Sequence, residues 1–391
     1  MVDNILYQYQ EEMLRQTTQE HFRYLYHEID WRARMIGITG PRGVGKSTML
    51  LQHIKRMEDH RHVLYVSADN LYFNNHSLVA LADELVKDGG THLFIDEIHK
   101  YKGWSQELKQ IYDIHADLHI VFTGSSILNI NQGQADLSRR ALMYTMQGMS
   151  FREFLLIRKG IKANVFSLDD ILDQRISIPE LPHPLPAFRD YLATGYYPFA
   201  NEVGFYQRLN QVIVQTVEID IAQHANLRPD TARKLERLLE IVSGMAPYKP
   251  NFDSLAQEVG VSKNNVPAYL VYLEQAGMLG LLRDNTSGIR SLGKMEKAYI
   301  DNPSLMYALT GGKPDIGSLR ETFFYNQMRV RNRVVVSRES DFFIDPYTFE
   351  VGGRNKGRRQ IENVPNGIIV KDDIETGHGI VVPLWYFGMN Y

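Results

Sequence analysis

Gly40-Pro41-Arg42-Gly43-Val44-Gly45-Lys46-Ser47 reads G-x-x-x-x-G-K-[ST], the pattern of a loop that cradles phosphate groups. Its glycines let the backbone turn tightly and aim N–H groups at phosphate oxygens. Lys46 has the reach to meet β- and γ-phosphates, and the Ser47 hydroxyl suits Mg²⁺. The flanks fit the same reading. Met35–Thr39 is a short apolar run expected to form a buried strand. From Thr48 to Arg56, Met49, Leu50 and Ile54 fall at helical spacing. The helix turns its positive N-terminus toward the same anion. Nucleotide binding is therefore expected over 40–48, with Pro41, Arg42, Val44 and Thr48 completing the loop.

Alternating strand and helix patterns extend outward from this loop. Val63–Ala68, His92–Asp96, His119–Thr123 and Ala141–Gln147 read as strands, and Leu78–Lys87 and Ser105–His115 as helices. That order predicts an α/β domain with a mostly parallel sheet covered on both faces. Leu93-Phe-Ile-Asp96-Glu97 delivers two acids to the end of a buried strand, where ligands sit in open α/β sheets. Asp96 is expected to hold Mg²⁺, and Glu97 to orient and deprotonate the attacking water. Without the phosphate loop, the same pair would read equally well as a surface strand end. In Ile120–Ser126, Ser125 is the first candidate for contacting the γ-phosphate or the water, and Thr123 the second. Asp136-Leu-Ser-Arg139-Arg140 offers a cation for transition-state charge, in cis or from a neighbouring subunit, or else a solvated basic pair.

Taken in order, GPRGVGKST, LFIDEIH, FTGSS, LSRRA, Met149–Phe154 and Tyr191–Pro198 resemble a group of prokaryotic AAA-like ATPases with a C-terminal domain of unknown function. The resemblance reaches the tail of the chain. It implies that Lys46, Ser47, Asp96, Glu97 and Ser125 keep the roles above and that Arg140 matches the arginine after the sensor strand. Arg139 replaces that group's usual glycine, so the choice between the two arginines stays open. The cofactors implied are ATP and Mg²⁺. The absence of an Asn-Lys-x-Asp segment that would read guanine also favours ATP.

The chain has 391 residues, a net charge of −3 and no cysteine. Disulfides, thiolate zinc sites and thiol catalysis are thereby excluded. No apolar run approaches the ~18 residues that span a bilayer, and the first residues lack signal-peptide order. No membrane role and a cytoplasmic location are expected.

The expected organisation is an N-terminal helix (1–30), the ATPase domain (31–160), a helical linker region (161–230), a winged-helix-like module (231–312) and a restriction-nuclease-like α/β tail (313–391). Ile178–Pro186 is expected to be a non-helical, proline-rich connector. Phe252–Leu282 has helix-turn-helix rhythm, with Gly260 at the turn and Ser262 as a cap. Lys263 and Arg283 are its few nearby cations, which favours domain packing or a protein partner over DNA. Residues 313–359 hold ten Lys or Arg and six acids. Glu321, Asp341 and Glu350 are arranged as in metal-dependent nucleases. However, Gly352 stands where those enzymes place a lysine, and Lys356 lies six residues beyond Glu350. Val381–Tyr391 reads as a core strand. The expected function is Mg²⁺-dependent ATP hydrolysis that moves the C-terminal modules, in a chain that allows a homo-oligomer and a DNA or protein partner. The alternatives are a nucleotide-gated DNA-binding regulator and an ATP-driven nuclease.

Overall fold

In the computed structural model, residues 2–124, 137–225, 227–245, 247–249, 251–285 and 294–391 are described. They form two compact units, Met1–Gln147 and Gly148–Tyr391. The division falls before the boundary expected at 160, so the helix Phe151–Lys159 belongs to the second unit.

The first unit is built on β1 (Met35–Thr39), β2 (Val63–Ser67), β3 (His92–Asp96), β4 (His119–Gly124) and β5 (Leu142–Thr145). The order across the sheet is β2-β3-β4-β1-β5, and every pairing is parallel. β1 and β2 are buried along their whole length, as near-continuous apolar runs require when helices cover both faces. The covering helices include α1 (Asn4–Gln16), α2 (Lys46–Arg56), α3 (Leu78–Lys87) and α4 (Trp104–Ile114). Leu81, Leu85, Leu108 and Ile111 from α3 and α4 pack with Leu64, Leu93 and Ile120 of the sheet. The phosphate loop leaves the C-terminal end of β1, between β4 and β5. This is the five-stranded α/β sheet expected of a P-loop fold.

The N-terminal helix is shorter than expected, because α1 stops at Gln16 and an extended Thr17 caps it. α1 covers the edge strand. Gln10, 1% exposed, accepts the outward N–H of Tyr65 on β2 at 2.6 Å, so an edge donor that would otherwise be orphaned in the core is satisfied.

In the second unit, residues 178–183 of the proline-rich connector are non-helical as expected, and only its last three residues, from Pro184, enter the helix Pro184–Asp190. Pro184 opens its first turn, where a missing N–H costs nothing. The helices Pro229–Met245, Phe252–Val259 and Val266–Gln275 precede an antiparallel pair, β6 (Leu279–Arg283) and β7 (Met295–Ile300). Gly260 takes a left-handed turn, φ 70°, as expected, but the Ser262 side chain makes no capping bond. After the helix Ile316–Met328 come β8 (Val335–Val336), β9 (Phe342–Ile344), β10 (Tyr347–Gly352), β11 (Gly367–Lys371) and β12 (Val381–Pro383), in a mixed sheet of that spatial order. The closing segment is strand only over Val381–Pro383. Leu384–Met389 then coil into a buried 3₁₀ turn that sets Trp385 and Phe387 in the core.

Candidate functional site

The Gly40–Ser47 loop adopts a conformation that only glycine supports at its key positions. Gly43 and Gly45 have φ of 77° and 99°, and a Cβ on Gly40 would lie 2.2 Å from the Met146 carbonyl oxygen. Gly45 starts α2 with no side-chain cap, so the first-turn N–H groups of that helix are not bonded to a capping side chain. Lys46 is 5% exposed, and its ammonium donates to the carbonyls of Gly40 and Pro41, both at 2.8 Å. The lysine is thus folded along the inside of the loop it serves. Arg23, 5% exposed, supports the loop from within the unit by donating to the Val44 carbonyl and, at 2.8 Å, to that of Gln147.

Asp96 ends β3 at the same C-terminal edge and is 5% exposed. Both of its oxygens are held by buried hydroxyls. Tyr65 on β2 donates to Oδ2 at 3.0 Å, and Thr123 on β4 donates to Oδ1. Burial, and then the neighbouring carboxylate, push the Tyr65 phenol well above its ordinary range, so it remains a donor. Glu97 follows in a left-handed conformation, φ 51° and ψ 39°. Its N–H donates to Thr123 Oγ1 at 3.2 Å, and its carboxylate lies 3.4 Å from His99 Nε2 and 4.0 Å from the Arg42 guanidinium. Thr123 thus connects the two acids. Ser125, the preferred candidate on that strand tip, lies outside the described residues.

Arg140 is not brought to the loop. It precedes β5, which runs parallel to β1 with Leu142 opposite Ile36. Arg140 therefore sits at the N-terminal edge of the sheet, about 15 Å of strand away from the phosphate loop. There it makes a two-pronged pair with Asp113 near the end of α4, both contacts at 2.9 Å. The neighbouring Arg139 shares that edge and is exposed. Neither arginine is placed beside the phosphate loop of its own chain.

The Ser47 hydroxyl and the Asp96 carboxylate form a hard, all-oxygen donor set, which fits Mg²⁺ that keeps water and phosphate ligands as well. Sequence reasoning missed Arg23, Tyr65 and His99. Of these, only His99, two residues after Glu97, carried a local signal.

The carboxylates of the second unit do approach one another, but lysines engage them. Lys297 lies 3.6 Å from Glu321 and 3.5 Å from Asp341. Lys356 folds back onto Glu350, its stem passing 2.6 Å from where a Gly352 Cβ would stand. Burial first, and then Asp341, raise the Glu321 pKa. A cavity of about 910 Å³ opens beside Lys297 and Asp341. No group of three acids or histidines able to hold a metal occurs among the described residues. Around the helix-turn-helix segment, Lys263 pairs with Asp253 at 2.7 Å and Arg283 with Glu274 at 2.5 Å. Among the described residues, no helix is long and apolar enough to cross a membrane.

Residues 32–155 match a family model described as an AAA domain, and residues 185–315 match a domain of unknown function, DUF8612. An uncharacterized protein of Methanocaldococcus jannaschii is 26% identical to this chain, and the alignment covers 92% of this chain and 85% of that protein. The Walker-type ATPase of Pyrococcus abyssi superposes with a TM-score of 0.47 at 14% identity, over 77% of this chain and 95% of its own. Domain III of the Thermotoga maritima replication initiation protein DnaA gives 0.28 at 16% identity, over 54% and 88%.

Proposed function

We propose that residues 32–155, which match the AAA domain model, bind ATP with Mg²⁺ and hydrolyse the γ-phosphate, coupling that cycle to the second unit. One observation carries the reading: Asp96 and Glu97 stand in sequence at the C-terminal edge of the sheet, where the Gly40–Ser47 loop also opens. Loop and helix N–H groups bind the phosphates. Lys46 exchanges two backbone carbonyls for phosphate oxygens. Ser47 and Asp96 hold Mg²⁺, which when bound neutralises charge developing on the phosphate oxygens. Glu97 takes the proton of the attacking water, and Thr123 keeps the two acids in fixed relation. Arg139 or Arg140 supplies its charge to a second copy of the chain, which makes a homo-oligomer the working form.

The test is equilibrium binding of a fluorescent ATP analogue. Lys46→Ala should weaken binding at least tenfold, because a buried charge-assisted contact to phosphate is lost. Unchanged affinity would refute the assignment of the loop.

The DNA-regulator alternative gains nothing from the cations near the helix-turn-helix segment, which are paired internally. For the nuclease alternative, Lys356 reaches Glu350 across Gly352 and so stands in for the lysine the sequence pattern lacked, but no group of three acids or histidines able to hold a metal occurs among the described residues. A protein partner for the second unit fits these charges better than DNA does.

A further inference from the structure

The candidate base, Glu97, is gripped from two sides at one oxygen. His99 Nε2 lies 3.4 Å from Oε2, and the Arg42 guanidinium lies 4.0 Å from the same atom. The two partners differ in kind. His99 belongs to the 3₁₀ turn Ile98–Lys100 that Glu97 opens, and its side chain is 1% exposed, so it is a fixed neighbour. Arg42 belongs to the phosphate loop, is 21% exposed and reaches Glu97 at the limit of an ion pair. Such a partly exposed pair is weak. A terminal phosphate offers the same guanidinium more charge and two acceptor oxygens, a stronger match than one carboxylate oxygen at 4.0 Å.

We infer that Arg42 is shared between Glu97 and the terminal phosphate of a bound nucleoside triphosphate, and that His99 is the positioning residue that keeps Glu97 aimed once Arg42 moves to the phosphate. A triphosphate thus releases the base that activates the water attacking it, whereas a diphosphate lacks the group that draws Arg42 away. This inference rests on the proposed reading of the loop as an ATP site and of Glu97 as its base.

A binding cycle tests the sharing without reference to turnover. A fluorescent non-hydrolysable ATP analogue and the corresponding ADP analogue are titrated into the full chain, as wild type, Glu97→Gln, Arg42→Ala and the double variant. Glu97→Gln removes the carboxylate charge that competes for Arg42 and should tighten the triphosphate analogue about 3-fold, leaving the diphosphate unchanged. Arg42→Ala should weaken the triphosphate about tenfold relative to the diphosphate. In the double variant the gain from Glu97→Gln should vanish. A gain of equal size with and without Arg42 overturns the sharing. Steady-state kinetics test His99. His99→Ala should lower kcat about tenfold at unchanged KM, and His99→Gln, which keeps a polar nitrogen near the carboxylate, should recover most of the loss. A wild-type kcat in His99→Ala overturns the positioning role, as does an equal loss in His99→Gln with native melting. If Glu97→Gln itself hydrolyses normally, the base assignment fails, while the binding cycle still reports on the Arg42–Glu97 pair.

Discussion

Replacing Tyr65 by Phe removes one oxygen atom from the core, and the structure sets what that should cost. The residue is 0% exposed, and its hydroxyl donates to Asp96 Oδ2 at 3.0 Å, itself on a residue only 5% exposed. Phe keeps the ring, so no sizeable cavity opens. What is lost is a hydrogen bond to a buried carboxylate, about 1.5–3 kcal/mol. For a unit the size of Met1–Gln147, that corresponds to a fall in melting temperature of about 3–12 °C. Asp96 would keep only the Thr123 hydroxyl to fix its orientation. If it holds Mg²⁺, the Mg²⁺ concentration required for tight binding of an ATP analogue should rise about tenfold or more, the usual effect of removing a group that orients a metal ligand. Differential scanning fluorimetry reads the first quantity, and Mg²⁺ titration at fixed analogue reads the second. A variant that melts within about a degree of wild type and needs the same Mg²⁺ would refute the reasoning, because a buried carboxylate cannot lose such a donor without consequence.

His53 stacks on Trp31 at 3.8 Å and His92 on His119 at 4.8 Å. Burial first, and then the neighbouring His92 and Arg56 for His53 and His119 for His92, depress both pKa values to about 4. Both are neutral in the fold but protonate near 6.5 when unfolded. Their contribution is therefore complete above pH 6.5 and is lost as pH falls toward 4, on the order of 2–4 kcal/mol together after allowing for partial exposure. Urea midpoints at pH 7 and pH 5 check this, and equal midpoints would contradict it. Arg140→Ala should leave ATP-analogue binding within about twofold but lower turnover at least tenfold. Adding a Lys46→Ala chain that carries an intact Arg140 should restore part of that turnover; failure to do so would argue against action between subunits. Plasmid DNA incubated with the chain and Mg²⁺ should remain supercoiled, because no group of three acids or histidines able to hold a metal occurs among the described residues. Nicking that disappears in Glu350→Ala would reverse that conclusion.

The parts legible in the sequence were those with a local signature. The strand His92–Asp96 and the helix Leu78–Lys87 form over the expected residues, because apolar runs and caps fix them within one segment. Gly40–Ser47 follows its pattern down to the positive φ angles. What stayed hidden depends on residues far apart in the chain. Nothing near Tyr65 announces a partner at Asp96, and nothing near Arg23 announces Val44 or Gln147. Arg140 lies close to the strand tip in sequence but at the opposite edge of the sheet, because a parallel strand must begin where its neighbour begins. The proline-rich stretch is non-helical up to His183 as expected, and only its end was misplaced, because prolines interrupt helix interiors but are at home in first turns, where Pro184 sits. At the C-terminus, hydrophobicity alone could not separate a buried strand from the buried 3₁₀ turn of Leu384–Met389.

The central claim is that Gly40–Ser47 and Asp96-Glu97 form one hydrolytic site with Glu97 as its base. Single-turnover hydrolysis of radiolabelled ATP by wild type and Glu97→Gln, with binding measured in parallel, tests it most directly. The account predicts that Glu97→Gln binds ATP at least as tightly as wild type and hydrolyses it about a hundredfold more slowly. Hydrolysis at the wild-type rate by a variant that binds ATP normally would contradict it.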